Sequence, residues 1–428
     1  MSKTDKYIIG QGSYGCVFNP ALDCEDGKKF DIVYNISKVQ SKTDTNNETK
    51  EYKNIDKFDP YFKYHLKHES CTPEKNEINN IKKCELFSKE TETNVKNLKL
   101  IQMPYGGIPI KDLLKSLSDE KKKLRNIGTR IFKSVLNFTL YYEKENEEKL
   151  FGTRFFNSFI NLFEGIQLFN KNGFMHFDIK SDNILYNIDE GKSLFIDFGL
   201  STMKDEIKLE SERVLRFGHE SILWGYYPLD TFFYNENEFD YCKNLITKNN
   251  TETSIRIIRH RITANLSGKR FTIFKLYFKD KYTEFYNAYL SNFIKTFIDF
   301  INSGSKTYED YMNICTGKLD IYSFGLVLKD SIDVFYYLGY FNKKKTESYK
   351  CYNDLINLVD KMTTYDFVER LTPEKALAEY KKILYNPYMN YTRTPTTTKR
   401  IKTTSKTSSN RKKIGGRSQR KFTRTNRK

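Results

Sequence analysis

The chain has 428 residues, 38% of them apolar and 15% aromatic, with a formal net charge of +18; this length can bury a large core as one big domain or two. No apolar run reaches membrane-spanning length, and the start, Met-Ser-Lys-Thr-Asp-Lys-Tyr, lacks a signal peptide's hydrophobic stretch, so no membrane association is expected. The charge is uneven: residues 392–428 hold fourteen Lys and Arg and no acid, leaving +4 for the other 391 residues. Seven cysteines (Cys16, Cys24, Cys71, Cys84, Cys242, Cys315 and Cys351) are odd in number and scattered, with no Cys-x-x-Cys. That pattern argues against a disulfide framework or structural zinc and for a reducing, intracellular compartment.

In chain order, Tyr7-Ile8-Ile9 reads as a strand running into Gly10-Gln11-Gly12-Ser13-Tyr14-Gly15-Cys16-Val17. Gly-x-Gly-x-x-Gly alone also fits a dinucleotide site, but that site needs a helix at once. Here Cys16-Val17-Phe18-Asn19-Pro20 is β-like and then broken, so strand–loop–strand is expected. The glycines would let the backbone close over phosphates, with Val17 covering a base. Asp26-Gly27 signals a hairpin turn, and the next strand is expected from about Phe30 to Val39, with Lys38 near its end. Residues 46–58 have helical spacing, with Tyr52, Ile55 and Phe58 on one side, and Asp59-Pro60 stops the helix. Residues 61–95 read as a loop-rich insertion with a short helix near 74–87. His65, His68 and Cys71 invite a zinc reading, but the tight zinc spacings do not complete and Cys84 is distant, so no metal site is expected there. Residues 98–103 form a strand, followed by Pro104-Tyr105-Gly106-Gly107 and a short helix carrying Asp112. Residues 119–150 read as an enlarged helical region with charge runs. The stretch 151–169 is a core helix with Phe155, Phe159, Leu162, Phe163 and Ile166 spaced for burial.

The chemistry concentrates in His176-Phe177-Asp178-Ile179-Lys180-Ser181-Asp182-Asn183 and, fourteen residues past Asn183, Asp197-Phe198-Gly199. Such polar groups are costly to desolvate unless something charged is bound among them. Magnesium and phosphate meet that need: Mg²⁺ takes hard oxygen ligands, here the Asn183 amide and the Asp197 carboxylate. Asp178 would accept a hydroxyl proton and Lys180 would hold a transferring phosphoryl group. These two segments match the catalytic loop and metal-binding Asp-Phe-Gly of eukaryotic-type protein kinases, and the chain resembles that family over roughly residues 6–390.

The resemblance implies an α+β fold in two lobes: a small β-rich nucleotide-binding lobe over 1–105, and a large helical lobe over 106–391 with a helical insertion at about 231–316. Residues 392–428 would be a disordered basic tail. It implies ATP held by Ile9, Gly10, Gly12, Gly15, Val17, Lys38, Met103, Tyr105 and Gly106, with Asn183 and Asp197 on Mg²⁺ and Asp178 and Lys180 catalytic. Lys38 would pair with a glutamate of the following helix. Glu51 is preferred, because Ile55 and Phe58 then follow four and seven residues later on the core face; Glu48 is the alternative. Ile36 replaces the small residue that usually lies against adenine. Lys180 resembles the serine/threonine-specific pattern, so protein Ser and Thr hydroxyls are the expected acceptors.

Phe177 stands where the family usually has an arginine that pairs with a phosphorylated activation loop, so activation independent of that phosphorylation is expected. Gly225-Tyr226-Tyr227-Pro228-Leu229-Asp230 resembles a replacement for the usual Ala-Pro-Glu. Arg370, in Phe367-Val368-Glu369-Arg370-Leu371-Thr372-Pro373, would pair with Asp230. Asp320, in the helical stretch 317–328, would brace the catalytic-loop backbone. The inserted helices, including 274–301, would contact a partner or only pack on the helical lobe. The tail would neutralise phosphates of nucleic acid or another polyanion, or serve as a solubilising or localisation segment. Richness in Lys, Asn, Ile, Tyr and Phe, which suggests an AT-rich genome, together with these departures and the basic tail with its Gly-Gly, resembles serine/threonine kinases of giant DNA viruses, which implies a host-cell cytoplasmic or virion-associated protein. Two rival functions are an ATP-binding pseudokinase or scaffold and a nucleic-acid packaging protein.

Overall fold

A computed structural model describes residues 6–389 apart from 13, 26, 28–34, 92–93, 127–143, 208–225, 266–281, 342–345 and 387. All of these belong to the first of two units, Met1–Tyr391. Several expectations therefore fall outside the described residues: the tail at 392–428, most of the segment 200–225, the first half of the strand at 30–39, and part of the insertion. The described chain is α+β.

Five strands form an antiparallel sheet: β1 (Tyr7–Gly12), β2 (Gly15–Asn19), β3 (Asn35–Ser41), β4 (Glu69–Cys71) and β5 (Leu98–Pro104), in the order β1-β2-β3-β5-β4. Register decides which side chains share a face, because residues directly paired point the same way and neighbours along a strand alternate. Cys16, Val39, Leu100 and Cys71 are successive cross-strand partners and line one face, over a small apolar cluster with Ile78, Ile81 and Val95. Val17, Lys38 and Ile101 are likewise partners on the opposite face, as are Ile36 and Met103. That second face belongs to the main hydrophobic cluster.

Two disulfides staple the first face, Cys16–Cys84 and Cys24–Cys71, and this corrects the expectation of an unpaired set. Their partners are 68 and 47 residues apart, and each bond joins a cysteine of the sheet, Cys16 or Cys71, to one outside its strands, Cys84 or Cys24, a proximity that scattered spacing in the sequence conceals. The inference of a reducing compartment loses its premise. Cys242, Cys315 and Cys351 are free and buried.

Helix α1 (Lys42–Asp56) leaves β3 without a loop, because Ser41 caps it by accepting a hydrogen bond from Asp44 N at 3.1 Å. It starts four residues before the expected 46 and ends two before 58. A short α2 (Ile78–Ile81) lies in the 61–95 segment, and β6 (Ile108–Pro109) leads into α3 (Ile110–Asn126). Helix α4 (Lys144–Lys171) buries Phe155, Phe156, Phe159 and Phe163 completely, a continuous aromatic face of the kind its spacing predicts.

Two small ladders follow. β7 (Phe174–Met175) pairs with β10 (Thr202–Met203), and β8 (Ile184–Asn187) pairs with β6 and β9 (Lys192–Phe195). They fix the ends of two loops, 176–183 and 196–201, that carry most of the candidate chemistry.

Beyond them lie α5 (Glu236–Lys248), α6 (Thr251–Asn265), α7 (Tyr282–Asn302), α8 (Tyr308–Leu338), α9 (Thr346–Met362) and α10 (Pro373–Leu384). A Thr307–Asp310 capping box starts α8, and Gly339 ends it in a left-handed conformation at φ 91°. α8 is buried on several sides because it divides two cores. Ile321, Phe324 and Leu328 join the α4 cluster, while Tyr311, Cys315 and Leu319 join one built with α5 to α7. The inserted helices pack by aromatic rings: Phe297 of α7 stacks on Phe233 at 3.9 Å between centroids. Among the described residues, no helix is long and apolar enough to cross a membrane.

Candidate functional site

Lys38 lies on the inner face of β3 because Val17 and Ile101, its cross-strand partners, do. Its Nζ donates to Glu48 Oε2 and to Asp197 Oδ1, each at 2.9 Å. Burial works against the ammonium, but Asp197 and Glu48 outweigh it and hold Lys38 above the ordinary lysine range. Burial would likewise raise Asp197, yet Lys38 outweighs it and keeps this carboxyl below its usual value. Glu48 is pushed up, chiefly by burial and against the pull of Lys38.

The partner of Lys38 is thus Glu48, which corrects the preference for Glu51. Both glutamates are buried on α1. Glu51 instead accepts from Asn54 Nδ2 at 3.2 Å and lies 3.6 Å from Lys50 Nζ. The spacing rule was sound but anchored one turn late: Tyr52 and Ile55 follow Glu48 by four and seven residues, whereas Phe58 lies beyond the end of the helix.

The loop 176–183 gathers the second group. Lys180 Nζ donates to Asp178 Oδ2 at 2.6 Å, and Asn183 Nδ2 donates to the same Oδ2 at 2.7 Å and to Asp178 O at 3.0 Å. Asp178 is buried, and desolvation raises its pKa to about 6 in spite of Lys180. Ile196 N donates to Asn183 O at 3.0 Å, which fastens the Asp197 turn to this loop. Lys180 is near enough to Asp197 to favour its ionised form.

The loop backbone is bent in a way that side chains rarely accept. Phe177 and Asp197 have φ of 61° and 63°, in the left-handed region. Such conformations cost on the order of 1–3 kcal/mol each and persist only where the surroundings enforce them. Asp320 supplies that enforcement for Phe177, accepting from His176 N at 2.8 Å and Phe177 N at 3.0 Å. This is the bracing expected of it. Tyr227 adds a bond that the sequence did not signal, its hydroxyl donating to Phe177 O at 2.5 Å. Phe198 is fully buried, with its ring 4.6 Å from His176 and 5.2 Å from Tyr52 by centroids.

The other candidates lie on the sheet and its exit. Ile9, Gly10 and Gly12 are on β1, and Gly15 and Val17 on β2. Gly15 has a local reason to be glycine: a Cβ there would meet Val39 O at 2.0 Å. Val17, Ile36 and Met103 share the main cluster with Leu185 of β8. Tyr105 is exposed. Gly106 and Gly107 let the exit from β5 pass close to β8: Gly107 has φ 119°, and a Cβ on it would lie 2.3 Å from Tyr186 O.

Asp230 and Arg370 form the expected buried pair, with Arg370 Nη2 2.8 Å from Asp230 Oδ1 and Nη1 3.2 Å from Oδ2. Neither side chain has any exposure. The donor set around Asp197 fits a hard divalent cation. Asn183 commits its amide nitrogen to Asp178, which leaves its oxygen for a cation, and Asp197 commits one oxygen to Lys38.

No protein-family model matches the chain, and no curated protein sequence matches it.

Proposed function

We propose that the protein is a bilobal serine/threonine protein kinase that transfers the γ-phosphoryl group of Mg-ATP to protein hydroxyls. The observation that carries this reading is the pair of hydrogen bonds from Lys38 to Glu48, on the helix that follows its strand, and to Asp197, 159 residues further along the chain. A buried lysine held between two acids is a ready partner for phosphate oxygens. Asp178, Lys180 and Asn183 stand as a hydrogen-bonded group beside it.

In this reading Lys38 pairs with the α- and β-phosphates, and Glu48 fixes its position. Asn183 and Asp197 would hold Mg²⁺, which supplies neutralisation of phosphate charge. Asp178 orients the acceptor hydroxyl and takes its proton as the new oxygen–phosphorus bond forms and the bond to ADP breaks. Lys180 steadies the γ-phosphoryl oxygens. The work of these residues is positioning and charge stabilisation, since the transition state of phosphoryl transfer is loose.

The test is incubation of the purified chain with γ-labelled ATP, Mg²⁺ and a mixed panel of protein substrates, followed by phosphoamino-acid analysis. Label on serine or threonine, lost in Asp178→Asn, is the expected result. ATP binding without any transfer would favour the pseudokinase reading, which the bulk of buried Ile36 beside Met103 supports.

A further inference from the structure

At the far end of α1 from Ser41, three side chains converge that take no part in the site above. Asp56, His65 and His68 each place a ligand-type atom within 4.8 Å of the other two. His65 Nε2 is 3.0 Å from Asp56 Oδ1, and His68 Nε2 is 4.0 Å from Asp56 Oδ2. His65 has no side-chain exposure and His68 only 6%, while Asp56, at 35%, opens the group to solvent.

The hydrogen bonds around Asp59 set the tautomer of His65. Asp59 accepts from Lys63 N and Tyr64 N, each at 2.9 Å, and its Oδ2 lies 2.9 Å from His65 Nδ1. An acceptor so placed makes Nδ1 the protonated nitrogen, which turns the Nε2 lone pair toward Asp56. A lone pair facing a carboxylate at 3.0 Å needs a positive charge between them. A proton there would satisfy Asp56 and His65 but leave His68 out, since 4.0 Å is too long for a hydrogen bond. His68 Nδ1 is also buried without a hydrogen-bond partner among the described residues. Stacking on Tyr52, at 3.9 Å between centroids, holds the ring in place nonetheless.

We propose that Asp56, His65 and His68 form a binding site for a divalent transition-metal ion, Zn²⁺ being the best suited, with Asp59 orienting His65 from behind. Two imidazoles and one carboxylate are a common zinc donor set, and a carboxylate behind a ligating histidine is the usual support. Bonds of about 2.0–2.1 Å place tetrahedral donors roughly 3.3 Å apart; one ligand atom from each of the three residues lies within 4.8 Å of the other two, so a small side-chain closure onto an ion completes the set. The exposed side at Asp56 leaves room for water as a fourth ligand. Cys71, which completed no zinc spacing in the sequence, is bonded to Cys24 and is not a ligand. Asp56 was invisible to a spacing search because it comes from the helix and not the His65–Cys71 segment.

The site ties the end of α1 to the segment 59–65. That segment also holds β9, through Phe195 N donating to Tyr64 O at 2.9 Å. The ion would therefore fasten the helix carrying Glu48 to the strand leading into Asp197. The metal test stands apart from phosphotransfer and is read without nucleotide.

The full-length chain, stripped of metal, is titrated with Co²⁺ and followed by visible absorption, and Zn²⁺ is then added. The expected result is one Co²⁺ per chain with the intense bands of a four- or five-coordinate ion, displaced by equimolar Zn²⁺, and a rise in Tm with Zn²⁺. Asp56→Asn and His68→Gln should lose the bands and the rise, Asp59→Asn should weaken affinity about 10–100-fold, and His260→Gln should retain both. Circular dichroism reports whether each variant folds, and the Co²⁺ spectrum of the unaltered chain decides the matter if one does not. Absence of bands in the unaltered chain, or bands that persist in folded Asp56→Asn and His68→Gln, overturns the proposal.

Discussion

Lys38 Nζ lies 2.9 Å from Glu48 Oε2, and the pair is enclosed, with the side chains only 12% and 2% exposed. A single carboxylate thus sets the lysine from the helix side, and the neighbouring Glu51 has other partners. Glu48→Gln should lower kcat/KM for ATP by about 10–100-fold, or roughly 1.4–2.8 kcal/mol, and Glu51→Gln by less than about twofold. Steady-state kinetics on the two variants check this. Equal losses, or the larger loss in Glu51→Gln, would sink the assignment.

The proposed function gives Asp178 and Asp197 different work, in keeping with their different neighbours. Asp178 is bonded to Lys180 and Asn183, and Asp197 to Lys38. Asp178→Asn should leave nucleotide affinity nearly intact and lower transfer by about 10²–10⁴-fold, the scale of losing a general base. Asp197→Asn should lose Mg²⁺-dependent nucleotide binding as well. Calorimetry with and without Mg²⁺, beside a transfer assay, separates the two. Near-normal transfer in both variants would refute the roles.

Under the proposed function, the raised pKa of Asp178 predicts a pH signature for transfer. Desolvation lifts it from 3.8 to about 6, so the carboxyl is ionised above that value, as the proposed base must be, and protonated below it. The transfer rate should rise as pH passes upward through about 6 and then level. Stability runs the other way. The fold favours the protonated carboxyl, so the stabilisation it confers is complete below pH 3.8 and lost as pH rises through about 6. Asp178→Asn, which cannot ionise, should therefore gain up to about 2–3 kcal/mol over the unaltered chain at pH 7.5, with the gain shrinking toward pH 5. Denaturant unfolding at the two pH values measures it; a gain that grows on acidification contradicts the sign.

The Asp230–Arg370 pair has no exposure, and Arg370 also donates to Thr364 O, from Nε at 3.2 Å and Nη2 at 3.0 Å. Removing either partner leaves a buried charge alone. Asp230→Ala and Arg370→Ala should each cost about 3–5 kcal/mol, while the double variant should cost clearly less than their sum. A double-mutant cycle by chemical denaturation gives the coupling directly, and strict additivity would rule it out.

The polar site was largely legible because charged residues are rare inside proteins and stand out wherever they interrupt apolar runs. Lys38 meets Asp197, Lys180 and Asn183 meet Asp178, and Asp320 and Asp230 make the contacts expected of them. Three features escaped. The choice of Glu48 over Glu51 turns on where α1 begins, which Ser41 settles by capping and periodicity does not. The disulfides depend on how the segments outside the strands fold back on the sheet, since Cys24 and Cys84 belong to no strand and are bonded to Cys71 and Cys16, which do. Asp56 joins His65 and His68 through a reversal of the chain after α1, and an aspartate at a helix end is too ordinary to signal it.

Phe177 packs its ring against Tyr227 at 5.1 Å between centroids, within an apolar cluster that includes Leu229 and Phe232. Its strained backbone is already held from both sides, by Asp320 at the amide and Tyr227 at the carbonyl. An apolar contact neither titrates nor attracts phosphate, so the loop has a brace that needs no modification to form. If the chain is the kinase proposed above, phosphatase-treated protein should accordingly keep its transfer activity within about twofold. Tyr227→Phe should lose about 1–2 kcal/mol of stability, because it leaves Phe177 O without its buried donor. Phe177→Arg should gain no dependence on phosphorylation, since the bonds of Asp320 and Tyr227 remain. The assay compares treated and untreated protein beside Ser211→Glu and Ser221→Glu. Activity abolished by phosphatase and restored by either glutamate would mean that a phosphate, and not the Phe177–Tyr227 contact, sets the loop.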